Sequence, residues 1–108
     1  MELQQSTRLS DRELEAKILD SKAPTLVVFS AKWCGPCRLM KPIVAELEQE
    51  YQNQVDFLVI DIEEYPKVSD KFMVLNLPTF LFYRHGKQKK RLKGMQDKQI
   101  LSEILSRL

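Results

Sequence analysis

Glycine is scarce in this chain, at 3 of 108 residues, and cysteine scarcer still, at 2. The first scarcity excludes collagen-like and glycine-rich linker sequences, the second a disulfide-dense scaffold. One histidine and one tryptophan are present. A lone histidine beside two cysteines cannot supply the four ligands of a structural zinc site, and no metal is expected. No apolar run exceeds four residues, so no stretch is long enough to span a bilayer. The opening Met1-Glu2-Leu3-Gln4-Gln5 lacks the basic start and apolar stretch of a secretory signal, which makes the cytoplasm the expected location. There is no internal repeat, low-complexity segment or linker.

What remains is ordinary globular material, 44% hydrophobic and 30% charged, at the size of one compact domain spanning residues 1–108. Net charge is +2, but it is unevenly placed. Residues 1–70 carry 8 basic and 13 acidic side chains, residues 71–108 carry 9 basic and 2 acidic. Such asymmetry can steer a charged partner without bearing on the fold.

Leu3 to Thr7 has the weak signature of a first strand. Ser10-Asp11-Arg12-Glu13 reads as a capping box before Leu14, Ile18 and Leu19 at helical spacing, predicting a helix over 11–20. Thr25 to Phe29, β-branched and apolar, predicts a strand buried on both faces. From Pro36 the period changes. Met40, Ile43, Val44, Leu47 and Tyr51 form one stripe of an amphipathic helix, with Pro42 inside it as a source of a kink. Val55 to Ile60 predicts another strand, parallel to the one before the helix through a right-handed crossover. Pro66 to Phe72 predicts a short helix. Thr79 to Tyr83 and Gln88 to Leu92 predict a hairpin turning on Gly86, and Asp97 a cap for a last helix bearing Ile100, Leu101, Ile104, Leu105 and Leu108. Parallel units followed by a hairpin make a mixed α/β sheet of four to five strands, flanked by helices on both faces.

Cys34 and Cys37 fall where a strand gives way to a helix. That spacing brings two sulfurs within bonding range on a first helical turn, and the short loop they close is too small to serve as a stabilising staple. Unpaired backbone N–H groups at a helix start favour an anion, so the first sulfur is expected as a thiolate, with a pKa in the range of roughly 3.5 to 7.5 seen for such positions. Cys34 is expected as the exposed nucleophile and Cys37 as the more buried thiol that resolves the mixed disulfide. Gly35 lets the turn pack tightly, Pro36 suits an early helical position, and Trp33 can wall the sulfur.

The pentapeptide Trp33-Cys34-Gly35-Pro36-Cys37 is identical to the active-site motif of the thioredoxin family, and the resemblance runs over the whole chain. Pro42 resembles the family's helix proline, Leu77-Pro78-Thr79 its cis-proline loop, and Gly86 and Gly94 its late glycines. The resemblance implies a thioredoxin fold and a dithiol–disulfide reductase, with Cys34 and Cys37 catalytic and Trp33, Gly35, Pro36, Asn76, Leu77, Pro78, Gly94 and Met95 binding substrate. It further implies protein disulfides as substrates, a separate thioredoxin reductase as electron donor, a monomer, and no cofactor beyond the redox-active Cys34–Cys37 pair. The rival readings are a docking module with incidental redox activity and a more oxidising exchange protein.

Two departures from the family matter. Its buried aspartate and the lysine of the neighbouring strand correspond here to Val28 and Val59, so both charges are absent together. Replacing both partners avoids an uncompensated buried ion, but leaves Cys37 without an evident base. Ser30 and Asn76 also stand where the family often carries an aromatic and a glycine, which bears on substrate range. Arg84, Lys87, Lys89, Lys90, Arg91 and Lys93 form a basic block around the hairpin. With no recognition module beside it, no nucleic acid partner is expected. A solvated sheet edge is the first reading and steering of an acidic partner the second.

Overall fold

The computed structural model describes residues 8–108. The first helix, α1 (Asp11–Leu19), begins as the capping box requires: Ser10 Oγ accepts the Glu13 N–H at 3.1 Å and Glu13 Oε1 accepts the Ser10 N–H at 2.8 Å. Its apolar stripe buries Leu14 and Ile18. Then follow β1 (Thr25–Ser30), α2 (Gly35–Glu50), β2 (Asp56–Asp61), α3 (Pro66–Lys71), β3 (Thr79–Arg84), β4 (Lys87–Lys93) and α4 (Lys98–Ser106). The strand expected over Leu3 to Thr7 lies outside the described residues.

The four strands stand in the order β2-β1-β3-β4. β1 runs parallel to β2 and antiparallel to β3, and β4 returns antiparallel to β3. Because side chains alternate across a strand, successive residues of β1 and β3 serve two cores. Val27, Phe29, Leu81 and Tyr83 pack with Leu14 and Ile18 of α1 and Val68 of α3. Leu26, Val28, Phe80 and Phe82 pack with Met40, Val44 and Leu47 of α2 and Leu101 and Leu105 of α4. Central strands covered on both faces must be apolar throughout, which is why β1 and β3 are each buried over five consecutive residues.

Three local features differ from expectation. The hairpin between β3 and β4 turns on two left-handed residues: His85 at φ 53° precedes Gly86 at φ 73°, the backbone of a two-residue type I′ turn. Gly86 is also forced by space, since a Cβ there would meet the carbonyl oxygen of Leu19 at the end of α1. Asp97 holds the N-cap position of α4, but its side chain makes no capping hydrogen bond. Lastly, α2 starts one residue early, at Gly35, while Pro42 lies inside it as expected.

Candidate functional site

The early start of α2 makes Cys34 its N-cap. The residue is extended, at φ −86° and ψ 113°, and its sulfur accepts the backbone N–H of Cys37 at 3.3 Å. Serine and aspartate oxygens cap helices in this way, satisfying one of the N–H groups the first turn leaves unpaired. A sulfur in this place feels that N–H and the positive end of the helix together, and both favour its anionic form. Gly35 and Pro36 fill the first two helical positions, where the missing N–H of proline removes a donor that had no helical partner.

Cys34 and Cys37 are joined by a disulfide, with Cα atoms 5.3 Å apart. This pairing corrects the expected exposure. Cys34 is 5% exposed and Cys37 8%, so the first cysteine is not the more open of the two. The bonded pair packs with Ala31 against Ile62 and Leu77.

The loop before β3 supplies the opposite wall. The Leu77–Pro78 peptide is cis, Leu77 lies against the cysteine cluster, and Pro78 is buried. Gly94, just past β4 at φ 81°, donates its N–H to the Pro78 carbonyl at 2.8 Å. The structure thus brings Leu77 against the disulfide, with Pro78 next to it in the chain and Gly94 bonded to Pro78 from a second stretch. Trp33, 62% exposed, and Met95, 53% exposed, follow as immediate chain neighbours of Cys34 and Gly94, and Pro36 and Asn76 are also exposed. Thr79 Oγ1 donates to the Asn76 carbonyl, which ties the loop to the start of β3.

Sequence reasoning missed Met73, 70% exposed with φ 58°, and Leu75, 84% exposed. Both flank the same loop, and both read as core by residue type alone. Arg91 Nη2 donates to the Phe72 carbonyl at 2.6 Å and Arg91 Nη1 to the Met73 carbonyl at 3.2 Å, which fixes this turn against β4.

A cavity of about 570 Å³ reaches the site from the α2 side. Val28, Val59, Cys37 and Pro78 lie on its wall, with Lys41, Asp61 and Glu64 among the charged residues around them. Val28 and Val59 are direct cross-strand partners in β1 and β2. The two positions at which the sequence departs from the family it resembles therefore meet at one spot, and both hold valine. Among the described residues, no group of three His, Cys, Asp or Glu side chains is arranged to hold a metal ion.

The geometry is matched by kinship. A thioredoxin family model covers residues 5–107. The chain is 33% identical over 101 residues to a thioredoxin of Rickettsia bellii, spanning 94% of this chain and 96% of that protein. It is 30% identical over 102 residues to thioredoxin 1 of a Nostoc species, at 94% and 95% coverage. To a thioredoxin of Staphylococcus aureus it is 31% identical over 100 residues, at 93% and 94% coverage. A helix capped by one sulfur and bonded through it to a second, in a chain that a family model covers from residue 5 to 107 and that its relatives match almost end to end, places this protein in the thioredoxin family of dithiol–disulfide oxidoreductases.

Proposed function

We propose that residues 1–108 act as one domain that reduces disulfides in other proteins, with Cys34 as nucleophile and Cys37 as resolving thiol. In the reduced protein the Cys34 thiolate attacks one sulfur of a substrate disulfide. That bond breaks, the departing substrate sulfur leaves as a thiolate and takes up a proton, and a mixed disulfide joins Cys34 to the substrate. Cys37 then gives up its proton and attacks the Cys34 sulfur, releasing the second substrate thiol. Two electrons and two protons have passed to the substrate, and the chain is left with its own disulfide.

The observation that carries this reading is the Cys34 sulfur at the N-cap of α2, accepting the Cys37 N–H. The same bond stabilises a thiolate before the reaction and places Cys37 for the second step. Trp33, Gly35, Pro36, Asn76, Leu77, Pro78, Gly94 and Met95 form the substrate surface around it. Its apolar, exposed members suit contact with protein chains in general. The chain works in the cytoplasm as a monomer with no bound cofactor, and a separate thioredoxin reductase returns it to the dithiol.

Cys37→Ser is expected to trap a mixed disulfide with a model protein substrate, visible on a non-reducing gel, whereas Cys34→Ser traps none. Alkylation of the reduced protein at pH 7 should label Cys34 well before Cys37. Trapping through Cys37 alone, or labelling of Cys34 no faster than of free cysteine, would reverse the assignment.

A further inference from the structure

β4 is an edge strand among the described residues, paired with β3 on one side only. Its exposure is the reverse of its neighbour's: β3 is buried from Thr79 to Tyr83, while Lys87, Gln88, Lys89, Lys90 and Lys93 all face solvent. The register skips Lys89, with Tyr83 opposite Gln88 and Phe82 opposite Lys90. This bulge leaves a lysine unmatched on the edge. At about 3.4 Å per residue the strand is roughly 20 Å long. Five cations fall on it, so adjacent charges lie within the screening distance of about 8 Å at physiological salt, and their fields add.

Among the described residues, no carboxylate is paired with them. Arg91 spends its hydrogen bonds on the carbonyls of Phe72 and Met73 and the amide oxygen of Gln88, all uncharged. No ion pair joins Lys87, Lys89, Lys90 or Lys93 to a carboxylate among the described residues. Elsewhere Lys98 binds Glu46 and Glu50, and Lys71 binds Glu15. Beyond residue 70 the only carboxylate side chains are Asp97 and Glu103.

Lysines on a sheet edge prevent strand pairing wherever the edge lies. Here the location adds something that protection alone does not require. Lys93 stands opposite Thr79, the residue after Pro78, and the next residue, Gly94, is bonded to the Pro78 carbonyl. Arg91 fixes the turn that exposes Met73 and Leu75. The basic strip therefore begins at the wall of the disulfide site and runs away from it along the strand. A partner whose disulfide lies over Cys34 passes one flank of its own chain along these cations.

We propose that β4 is a second docking surface that selects disulfide substrates bearing an acidic segment beside the bond. This rests on the reductase reading above and names the substrate class it favours. Electrostatic complementarity of this kind acts mainly through encounter rate and orientation, and weakens with salt.

The test uses three disulfide-bridged peptides alike except for a flanking run of glutamate, glutamine or lysine, with dithiothreitol regenerating the full-length protein. At low ionic strength kcat/KM is expected to favour the glutamate over the lysine peptide by about tenfold. The ratio should fall toward one at high salt, and also in a Lys89→Gln, Lys90→Gln, Lys93→Gln variant. Because it is a ratio, a reduced fraction of folded variant does not alter it. A ratio near one in the unaltered protein, or one that the variant leaves unchanged, would overturn the proposal. So would an RNA oligonucleotide that competes as strongly as a free glutamate-rich peptide, since the strip would then be a general anion site. Failure to reduce any of the three peptides would instead overturn the reductase reading, and the substrate preference with it.

Discussion

Val28 and Val59 are the two residues by which the ground beneath the cysteine motif departs most from the family's pattern. Val28 is 4% exposed and directly opposite Val59, and both lie on the wall of the cavity that Cys37 also lines. Cys37 must lose a proton before it can attack, and no carboxylate projects from the strand position closest to the motif's floor. Val28→Asp is expected to speed resolution of a mixed disulfide near neutral pH, followed by quenched-flow kinetics. The added negative charge opposes a thiolate, so the same variant should shift the dithiol–disulfide equilibrium toward the disulfide in a glutathione titration. With no partner at Val59, the buried carboxylate should cost about 3 kcal/mol of stability in urea unfolding. An unchanged resolution rate in a variant that does fold would show that solvent already suffices as proton acceptor. At this scale legibility was uneven. The Cys34–Cys37 pair and the turn at Gly86 were readable from residue type and spacing, and the cis Pro78 through its resemblance to the family's cis-proline loop. The left-handed Asn53, Met73 and His85 were not: asparagine and histidine enter that region more often than most residues, but too rarely to be assigned there from type alone, and methionine gives no sign at all. Nor was the burial of Cys34, which packs against Ile62 and Leu77, residues distant in sequence.

Helices and the hairpin were legible through their punctuation, and their caps show the limit of that reading. Ser10 and Asp97 carry equally good N-cap chemistry. In the fold Ser10 completes a reciprocal pair of bonds with Glu13, whereas Asp97 makes none. Glutamate three residues after Ser10 closes that box, and Asp97 has Ile100 in the corresponding position. Ser10→Ala should therefore lower stability by about 1 kcal/mol. Asp97→Ala should cost less, about 0.5 kcal/mol, from the helix dipole alone. Equal losses in parallel urea titrations would mean that the side-chain bond contributes little. The hairpin offers a sharper contrast. Gly86 is left-handed, and a methyl group there meets the Leu19 carbonyl, while Gly94 is left-handed with open space around it. Gly94→Ala should cost only the backbone strain of about 1 kcal/mol. Gly86→Ala adds a collision with α1 and should exceed it, costing about 3 kcal/mol. The sequence pattern placed Gly86 in a turn, and the family resemblance matched Gly94 to a late-strand glycine, but the distinction between them requires knowing that the end of α1 sits under the hairpin.

Across the whole molecule, charge and proton binding connect parts that are distant in sequence. The positive second half was visible in composition, but its gathering along one edge depends on β4 lying outermost, and its relation to the site depends on the pairing of Lys93 with Thr79. The same architecture sets the response to alkali. Tyr83 on β3 has its pKa raised by burial, partly offset by the charge of Arg91. Lys98 at the start of α4 has its pKa raised by hydrogen bonds to Glu50 and Glu46 of α2, which tie two helices on one face of the sheet. Both groups hold their protons more tightly in the folded chain than in the unfolded one. Their contribution to stability is then complete below the unfolded values, about 10 for tyrosine and about 10.4 for lysine, and is lost as pH rises through the folded values. Urea midpoints measured from about pH 8 to about pH 11 should stay level and then decline above about pH 10. Tyr83→Phe removes the tyrosine step and should make that decline shallower, while Lys98→Met should remove the lysine step and lower the midpoint on the level limb. If Tyr83→Phe follows the unaltered protein through the whole alkaline limb, burial at Tyr83 is not what ties its proton to the fold.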